Sequence, residues 1–269
     1  PFDWEQRPRP GVVYHTAVYP GGGLSPEVQE ILIRQKLQGC RVLDVAEFIE
    51  EETSRIPLDW VDGDWLLSRI GRTDRVYRGL SRLWNMAVAV PALLLLGPAA
   101  LAMALVHKAC VPGPLFFRQE RVGWDGRVFS LLKFRSLPVR DRAEETDFVR
   151  PGDPRLHVLG RWMRRLRLDE VPQLWQVLTG QMNLVGPRPE RPGLARIFSR
   201  EIPFYPMRWL IPPGLTGWAQ VTGGYAGEDL MDHRTKMEHD LYYLKNRCFS
   251  LDLVILARTL RTILSAGGR

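Results

Sequence analysis

The stretch LGPAALAMALV, residues 96–106, lies in an apolar segment that decides where the rest of the chain is placed. Residues 87–106 contain no charged side chain. About 20 apolar residues at a rise of about 1.5 Å are enough to cross the roughly 30 Å hydrocarbon core of a bilayer. Yet the segment contains Pro91 and the pair Gly97 and Pro98. Proline removes a backbone donor and clashes with the preceding turn, so these breakers argue against a straight span.

Both flanks of this segment are basic, which a single crossing does not explain. Basic residues mark the cytoplasmic side of a membrane segment, so a crossing would leave one cluster on the wrong face. A break at Gly97 and Pro98 turns the chain back, so that both ends emerge on one face. We therefore predict a re-entrant helix-break-helix, with a single crossing or a buried helix of a soluble core as the alternatives. The flanking basic residues are Arg69, Arg72, Arg75, Arg78, Arg82, Lys108, Arg118, Arg121 and Arg127.

Composition narrows the class of protein. Charged residues make up 25% of the 269 residues, which argues against a polytopic membrane protein, and the formal net charge of +7 favours anionic partners. Cys40, Cys110 and Cys248 lie far apart with no CxxC pair, which indicates a reducing compartment and argues against a zinc site. The basic runs lack interleaved aromatic residues, and beside an apolar segment this argues against nucleic acid as a partner.

The pattern of elements predicts three parts, which are residues 1–74, 75–110 and 111–269. The first part is a small, partial α/β piece, with two strand candidates (GVVYHTAV and CRVLDV) and a helix that Ser25 opens and Gly39 ends. The second part holds the basic helix and the membrane segment.

The third part reads as mixed helix and strand. GPLFFRQERVGWDGRVFSLLKFRSL alternates like two paired strands around the turn GWDG. Residues 155–182 read as helical with a break near Asp169, and LDLVILARTLRTIL reads as a closing helix with an apolar face.

Residues 164–192, RRLRLDEVPQLWQVLTGQMNLVGPRPERP, concentrate the side chains suited to chemistry. Pro172 is tolerated only in the first turn of a helix, so a helix is predicted to start close to Asp169. The helix dipole and nearby arginines would hold a carboxylate there anionic, ready to bind a divalent metal or attack phosphorus. A helix cap with a surface ion pair is the alternative.

Three basic residues are candidates for binding phosphate. Arg188 stands between two prolines in GPRPERP, a stiff backbone in which an arginine loses little entropy when it grips a phosphate. LLKFRSL places Lys133 and Arg135 on one face of a strand candidate, two residues apart, which suits a diphosphate. The alternatives are a rigid surface loop for Arg188 and a solvated face for the other two.

Other candidates have simpler explanations close at hand. Asp240 lies on the predicted helix HDLYYLKN, where a core helix is the alternative. Trp218 belongs to the turn PPGLTGWAQV, which suits the membrane interface or a position against a ring. Asp62 and Asp64 mimic the Asp-x-Asp metal motif of nucleotide-sugar enzymes but lie outside the dense region, so we interpret them as a chance triplet.

The motifs, taken in order, resemble the bacterial sugar transferases called monotopic phosphoglycosyl transferases. The resemblance covers about residues 75–264 and includes PGPLFFRQERVG, KFRSL, LDEVPQLWQVLTGQMNLVGPRPERP, PPGLTGWAQV and DLYYLKN. It implies transfer of a hexose-1-phosphate from a UDP-sugar to undecaprenyl phosphate, a polyprenol phosphate, with release of UMP. This reaction would take place in the cytoplasmic leaflet of the inner membrane and initiate synthesis of a surface glycan such as an exopolysaccharide or O-antigen.

The resemblance also implies roles for particular residues. The family is described as forming a covalent phosphosugar on the Asp of an Asp-Glu pair, with Mg²⁺. Asp169 would then be the nucleophile and a metal contact, and Glu170 would help bind the metal or handle the proton of the acceptor. Lys133 and Arg188 would hold phosphates, and Asp240 would belong to the site.

The implied architecture is an α/β (α+β), membrane-associated catalytic domain with a re-entrant segment and amphipathic interfacial helices. The family's re-entrant helix breaks at Ser-Pro, and Gly97 and Pro98 occupy that place here. Residues 1–74 resemble the end of the Rossmann-like domain of longer members, and we expect this remnant to aid contacts in a homodimer. After GWAQV this chain has TGGY, where members often have Asn-Gly-Arg or Asn-Gly-Tyr, which leaves the donor preference open.

Two other functions stay open. The first is a catalytically silent, membrane-associated assembly partner that retains the fold, although the intact pair Asp169 and Glu170 argues against it. The second is a two-carboxylate hydrolase acting on lipid-linked sugars. Adjacent carboxylates point apart on a helix, so they are poorly placed to flank a glycosidic bond.

Overall fold

The computed structural model describes residues 14–70, 75–111, 113–136, 158–223 and 229–265. The chain divides into two compact units, Pro1–Ile70 and Gly71–Arg269. The helix that contains the predicted membrane segment belongs to the second unit, as do all the candidate site residues.

Residues 14–70 of the first unit form a parallel strand pair with three helices. Ser25 opens the first helix by accepting a hydrogen bond from the Val28 amide, and Gly39 follows its end at a φ of +92°, so the predicted boundaries are confirmed. Asp62 accepts a hydrogen bond from the Trp65 amide at 2.8 Å and caps a helix, which explains the DGD triplet. The elements are β1 (Thr16–Tyr19), α1 (Pro26–Leu37), β2 (Arg41–Asp44), α2 (Val45–Thr53) and α3 (Gly63–Arg69), and residues 11–13 of the first predicted strand lie outside the described residues.

The second unit begins with α4 (Arg75–Cys110), a helix of 36 residues that contains Pro91 and Pro98. Its part Gly79–Cys110 is long and apolar enough to cross a membrane by length and composition, with a mean hydropathy of 2.2 in its most apolar window. The helix continues through the predicted break at Gly97 and Pro98. Proline removes one backbone hydrogen bond and bends a helix without always ending it.

Both ends of α4 pack against other described residues of the second unit, whereas its middle packs against few of them. The Leu94 and Leu95 side chains are 73% and 78% exposed, and a Cβ added at Gly97 would meet Leu93 of the same helix at 3.7 Å. The apolar middle of α4 is therefore left uncovered between two anchored ends. The buried residues of α4 fall at a helical spacing and are Asn85, Ala89, Ala100, Ala104 and His107.

The predicted strand pair around GWDG is confirmed as an antiparallel hairpin, with β3 (Phe116–Val122) paired to β4 (Val128–Phe134). A short 3₁₀ turn, Trp124–Gly126, connects them. Asp125 takes a φ of +53° in this turn, a left-handed conformation that Asp tolerates better than most residues.

The predicted helical region breaks close to Asp169, as expected. Helix α5 (Val158–Arg165) ends just before Arg167, whose φ of +53° redirects the chain into the 3₁₀ turn Leu168–Glu170. Helix α6 (Pro172–Leu178) follows, with Pro172 in its first turn. The candidate pair of carboxylates therefore lies in the connection between two helices, rather than along one helix.

The last part of the second unit surrounds these elements. A Cβ on Gly214 would lie 2.2 Å from the backbone nitrogen of Gly186, so the two strands that contain or adjoin these glycines approach too closely for a side chain. Trp218 is buried and stacks on Tyr242 with ring centroids 5.6 Å apart, so the position against a ring is confirmed. The elements are β5 (Asn183–Val185), α7 (Pro192–Glu201), β6 (Gly214–Thr216, parallel to β5), α8 (Trp218–Thr222), α9 (Leu230–Asn246) and α10 (Phe249–Leu264).

Candidate active site

Asp169 and Glu170 are both buried, with 7% and 9% of their surfaces exposed. They lie in the 3₁₀ turn, and neither accepts a capping hydrogen bond from the first turn of α6. The alternative of a helix cap with a surface ion pair is therefore wrong. Burying two adjacent carboxylates costs free energy unless cations or hydrogen bonds compensate it, so the surroundings of this pair determine what it can do.

Three cations contact Glu170. The Lys133 Nζ lies 2.9 Å from Oε1, an Arg188 guanidinium nitrogen lies 3.1 Å from the same oxygen, and an Arg167 nitrogen lies 3.4 Å from Oε2. Burial alone would raise the pKa of Glu170, but these three cations outweigh it and hold the pKa well below its ordinary value. Glu170 is therefore a fixed negative charge at neutral pH.

Asp169 has a different environment. Within the described part of the chain its carboxylate has no ion pair within 4.0 Å and no side-chain hydrogen bond. Burial, and then the negative charge of Glu170, raise its pKa to about 6, although Lys133, Arg164 and Arg167 act in the opposite direction. The carboxylate is ionised at neutral pH and is not held by a partner, which is the state that a carboxylate nucleophile needs.

Lys133 and Arg188 reach Glu170 from separate parts of the chain. Lys133 lies on β4, and Arg188 lies in the loop that connects β5 to α7. Their side chains are 19% and 28% exposed and are paired with Glu170, so a solvated face and a rigid surface loop do not describe them. Lys133 has three donors, and its bond to Glu170 uses one, which leaves donors to bind an incoming anion.

Arg135 does not join this group, although it was predicted beside Lys133. Its Nε donates to the Pro114 carbonyl at 3.0 Å, and its guanidinium lies over the ring of Phe117. Phe117 is the strand partner of Lys133, so the two basic residues do share a face of the hairpin. Residues two apart along a strand lie about 7 Å from each other, so Lys133 and Arg135 contact different groups.

Asp240 is linked to the site through Arg208 instead of by direct contact with the acidic pair. The Arg208 Nε lies 2.8 Å from Oδ2 of Asp240, and the same guanidinium donates to the Tyr205 hydroxyl and to the backbone carbonyl of Arg188 at 2.9 Å. Asp240 and Arg208 are both buried. This pair thus holds the backbone of the residue whose side chain contacts Glu170.

A second buried carboxylate, Glu190, completes that support. Lys236 pairs with one of its oxygens, and Arg121 lies 3.7 Å from the other and donates to the Pro189 carbonyl at 3.0 Å. Burial would raise the pKa of Glu190, but Lys236, Arg208 and Arg121 lower it to about 2. We call Arg121, Glu190, Arg208, Lys236 and Asp240 the support cluster.

Sequence reasoning missed four members of the support cluster, and Arg121 was noted only as a basic residue near the apolar segment. Lys236 lies four residues before Asp240 on α9, a spacing that places both on one helix face, and this was the available signal. Glu190 lies two residues after Arg188 in the same proline-flanked loop. Arg208 has no local signal, because its partners come from distant parts of the chain.

Comparison of the chain with known families identifies its class. Residues 76–266 match the family model described as bacterial sugar transferase, and the chain belongs to that family.

Curated relatives agree with this assignment. The chain is 40% identical over 245 residues to a UDP-N-acetylgalactosamine-undecaprenyl-phosphate N-acetylgalactosaminephosphotransferase of Aeromonas hydrophila, which covers 91% of this chain and 57% of the relative. It is 37% identical to a UDP-glucose:undecaprenyl-phosphate glucose-1-phosphate transferase of Escherichia coli K12, covering 68% of this chain and 40% of that protein. A protein of the same name in Caulobacter vibrioides is 36% identical, covering 68% of this chain and 69% of the relative. The chain thus spans about half the length of the first two.

Proposed function

We propose that the protein transfers a hexose-1-phosphate from a UDP-sugar to undecaprenyl phosphate, with release of UMP, and so initiates a surface glycan. The observation that carries the proposal is the contrast within the acidic pair. Glu170 is held by Lys133, Arg167 and Arg188, whereas Asp169 has no such partner in the described residues. The names of the relatives support the donor and acceptor classes.

The proposed reaction has two displacements at one phosphorus atom. An oxygen of the Asp169 carboxylate attacks the phosphorus that bears the sugar, the bond to the UMP oxygen breaks, and UMP leaves with that electron pair. A phosphate oxygen of the acceptor then attacks the same phosphorus and releases the carboxylate. Lys133 and Arg188 offset the negative charge of the transferred group at both stages, because cations placed in advance favour a transition state that gains negative charge.

Glu170 keeps those cations in place. A carboxylate with so low a pKa is a poor base at neutral pH, which favours a role in holding charge over a role in accepting the proton of the acceptor.

The acidic pair also suits Mg²⁺, which proteins usually bind through one or two carboxylates together with phosphates of the substrate. Asp169 offers a carboxylate that has no ion-pair partner among the described residues, and Glu170 uses three of about four lone-pair sites on the cations that contact it. These two residues would hold the ion against the diphosphate. Bound there, Mg²⁺ would neutralise diphosphate charge and favour the departure of UMP.

We further propose that α4 enters the cytoplasmic leaflet of the inner membrane and returns to the same face, with the bend at Gly97 and Pro98. Two observations support this: both ends of α4 contact other elements of the second unit, and its apolar middle contacts few of the described residues. The exposed apolar side chains of α10, such as Leu253 and Leu260, suit a helix that lies at the interface. An amphipathic surface of this kind would let one site meet a soluble donor and a lipid acceptor.

The topology has its own test. Pro98→Ala should straighten the segment, so that a tag at the N-terminus moves to the opposite membrane face, as read by protease accessibility in inverted vesicles. Unchanged topology in this variant would mean that Pro98 is not the bend. A homodimer with contacts from residues 1–74 remains an expectation, which cross-linking in membranes would test.

The function is tested by measuring UMP release with Mg²⁺, undecaprenyl phosphate and a panel of UDP-hexoses, beside Asp169→Asn. We expect release with one donor, dependent on the lipid in steady state and lost in the variant. Release without need of the lipid in steady state would instead indicate a hydrolase. No release with any donor would favour the silent assembly partner.

A further inference from the structure

Arg82 on α4 caps the end of α6 that lies opposite the acidic pair. Its guanidinium donates to the Val177 carbonyl at 2.6 Å and also to the Leu178 carbonyl. The last carbonyls of a helix lack partners within the helix, and a cationic donor satisfies them with strong, charge-assisted bonds. Gly180, at a φ of +83°, lies beneath the guanidinium, since a Cβ there would be 3.6 Å from its central carbon.

Asn85 provides a second attachment on the same face of α4, three residues later. Its amide nitrogen donates to the Asn183 side chain at 2.9 Å, and its oxygen accepts from the Leu184 amide at 3.0 Å. Asn85 is buried, and its bond to Leu184 is buried as well. A buried polar side chain that is satisfied at both ends specifies one arrangement, because any other leaves a donor or acceptor unpaired.

These attachments fix the distance between the membrane helix and the chemistry. Helix α6 has seven residues, and at about 1.5 Å per residue it is about 10 Å long. Glu170 lies just before its first residue, and Arg82 holds its last carbonyls. The apolar part of α4 begins immediately after Asn85.

We infer that Arg82 and Asn85 are positioning residues that hold Asp169 and Glu170 at a set depth relative to the membrane helix. The inference rests on the proposed function, because it concerns an acceptor whose phosphate is confined to the bilayer surface. A soluble UDP-sugar reaches the site at any depth. The phosphate of a lipid acceptor stays at the bilayer surface, so it reaches the site only when the site lies at a matching depth. Loss of the attachment should therefore slow the second displacement more than the first.

The first test separates the two half-reactions in Arg82→Met. With UDP-sugar alone, the variant should release one UMP per enzyme at a rate within about twofold of the parent. Transfer to undecaprenyl phosphate in lipid vesicles should fall by about 10- to 100-fold, since misplacement by about 1 Å can cost 10²-fold. Arg82→Lys keeps the charge but loses the forked geometry, so its rate of transfer to the lipid should lie between those of the parent and of Arg82→Met.

Two controls complete this test. A short-chain polyprenol phosphate in detergent should restore most of the transfer by Arg82→Met, because that acceptor is not confined to a bilayer. Lys108→Met removes an exposed cation from the other end of α4 and should leave both half-reactions unchanged. An equal loss in both half-reactions of Arg82→Met, or no loss in either, would overturn the inference.

The depth of α6 relative to the membrane can be measured without an activity assay. Trp175 on α6 is 59% exposed, so a spin label at Trp175→Cys, with Cys40, Cys110 and Cys248 replaced by Ser, reports the position of α6. Its accessibility to oxygen and to a nickel chelate in vesicles should differ between the parent and Arg82→Met, and equal depths would refute the positioning role. If the parent releases no UMP, the proposed function fails while this measurement still decides the anchoring.

Discussion

The acidic pair and the support cluster are built from the same kinds of side chain, yet they differ in how completely charge is paired. In the support cluster each carboxylate has a cationic partner: Glu190 has Lys236 and Arg121, and Asp240 has Arg208. In the acidic pair, Glu170 has three cationic partners and Asp169 has none within contact distance among the described residues. The difference teaches that burial alone does not distinguish the carboxylates of the two groups, whereas the distribution of cations sets Asp169 apart from the other three.

The largest effect should follow from Asp169→Asn, since the amide keeps the shape of the side chain and removes the proposed nucleophile. We expect turnover to fall by at least about 1,000-fold while the melting temperature stays within a few degrees. Burial raises the pKa of Asp169, so neutralising this residue should cost little stability. Retained turnover, measured as UMP release, would show that Asp169 is not the nucleophile and that its lack of a cationic partner has no catalytic meaning.

Glu190→Gln should produce the opposite pattern, with a large loss of stability and a small loss of activity. Removing one partner of a buried ion pair leaves the other charge uncompensated, at a cost on the order of 3 kcal/mol at neutral pH. The pKa of Glu190 is lowered to about 2, so its contribution is complete above its ordinary value of 4.5 and is lost as the pH falls towards 2.

The difference in unfolding free energy between parent and Glu190→Gln should therefore shrink between pH 4.5 and pH 2. Chemical denaturation at pH 7 and pH 3 measures it. A constant difference across that range would show that Glu190 contributes by packing instead of by charge.

Lys133→Met and Arg135→Met form a matched pair from one face of the same hairpin. We expect the first to lower kcat/KM for the UDP-sugar by about 30-fold, because it removes a cation that pairs with Glu170 and that we propose also offsets the charge of the transferred group. The second should lower it by less than about threefold, because Arg135 binds a backbone carbonyl and covers Phe117. Equal losses would return Arg135 to the site, where the sequence alone placed it.

The smallest effect should come from Asp62→Asn, a carboxylate that caps a helix in the first unit. Asn is as good a helix cap as Asp, so stability should change by less than about 0.5 kcal/mol, whereas Asp62→Ala should cost about 1 kcal/mol. Turnover should be unaffected in both. A loss of turnover would assign the DGD triplet a function that its geometry does not suggest.

Local sequence patterns predicted the helices and strands well, but they predicted the contacts between those elements poorly. Ser25 and Gly39 bounded α1, GWDG located the hairpin, and Pro172 placed the start of α6 next to the acidic pair. Each of these signals acts within a few residues, through a cap, a turn or a missing backbone donor. The long-range pairing of Arg208 with Asp240, by contrast, joins residues whose own neighbourhoods give no sign of it.

One prediction at the site and one at the membrane segment were also limited, because the sequence does not show which distant residues a side chain contacts. Lys133 and Arg135 share a face, but alternation along a strand does not tell how far apart the contacts of two side chains are. Pro98 was expected to interrupt α4, and the helix continues through it. The local cost of proline is known from the sequence, whereas the packing of Asn85 and His107 at the two ends of α4 is not.

The central claim is that Asp169 forms a covalent bond to the transferred phosphosugar. The most direct measurement is the intact mass of the protein, followed by peptide mapping, after brief reaction with UDP-hexose and Mg²⁺ in the absence of undecaprenyl phosphate. The account predicts one UMP released per enzyme and one hexose phosphate attached to the peptide that contains Asp169, removed when the lipid is added. UMP release only when the lipid is present, with no change in protein mass, would contradict it and indicate a direct, single displacement.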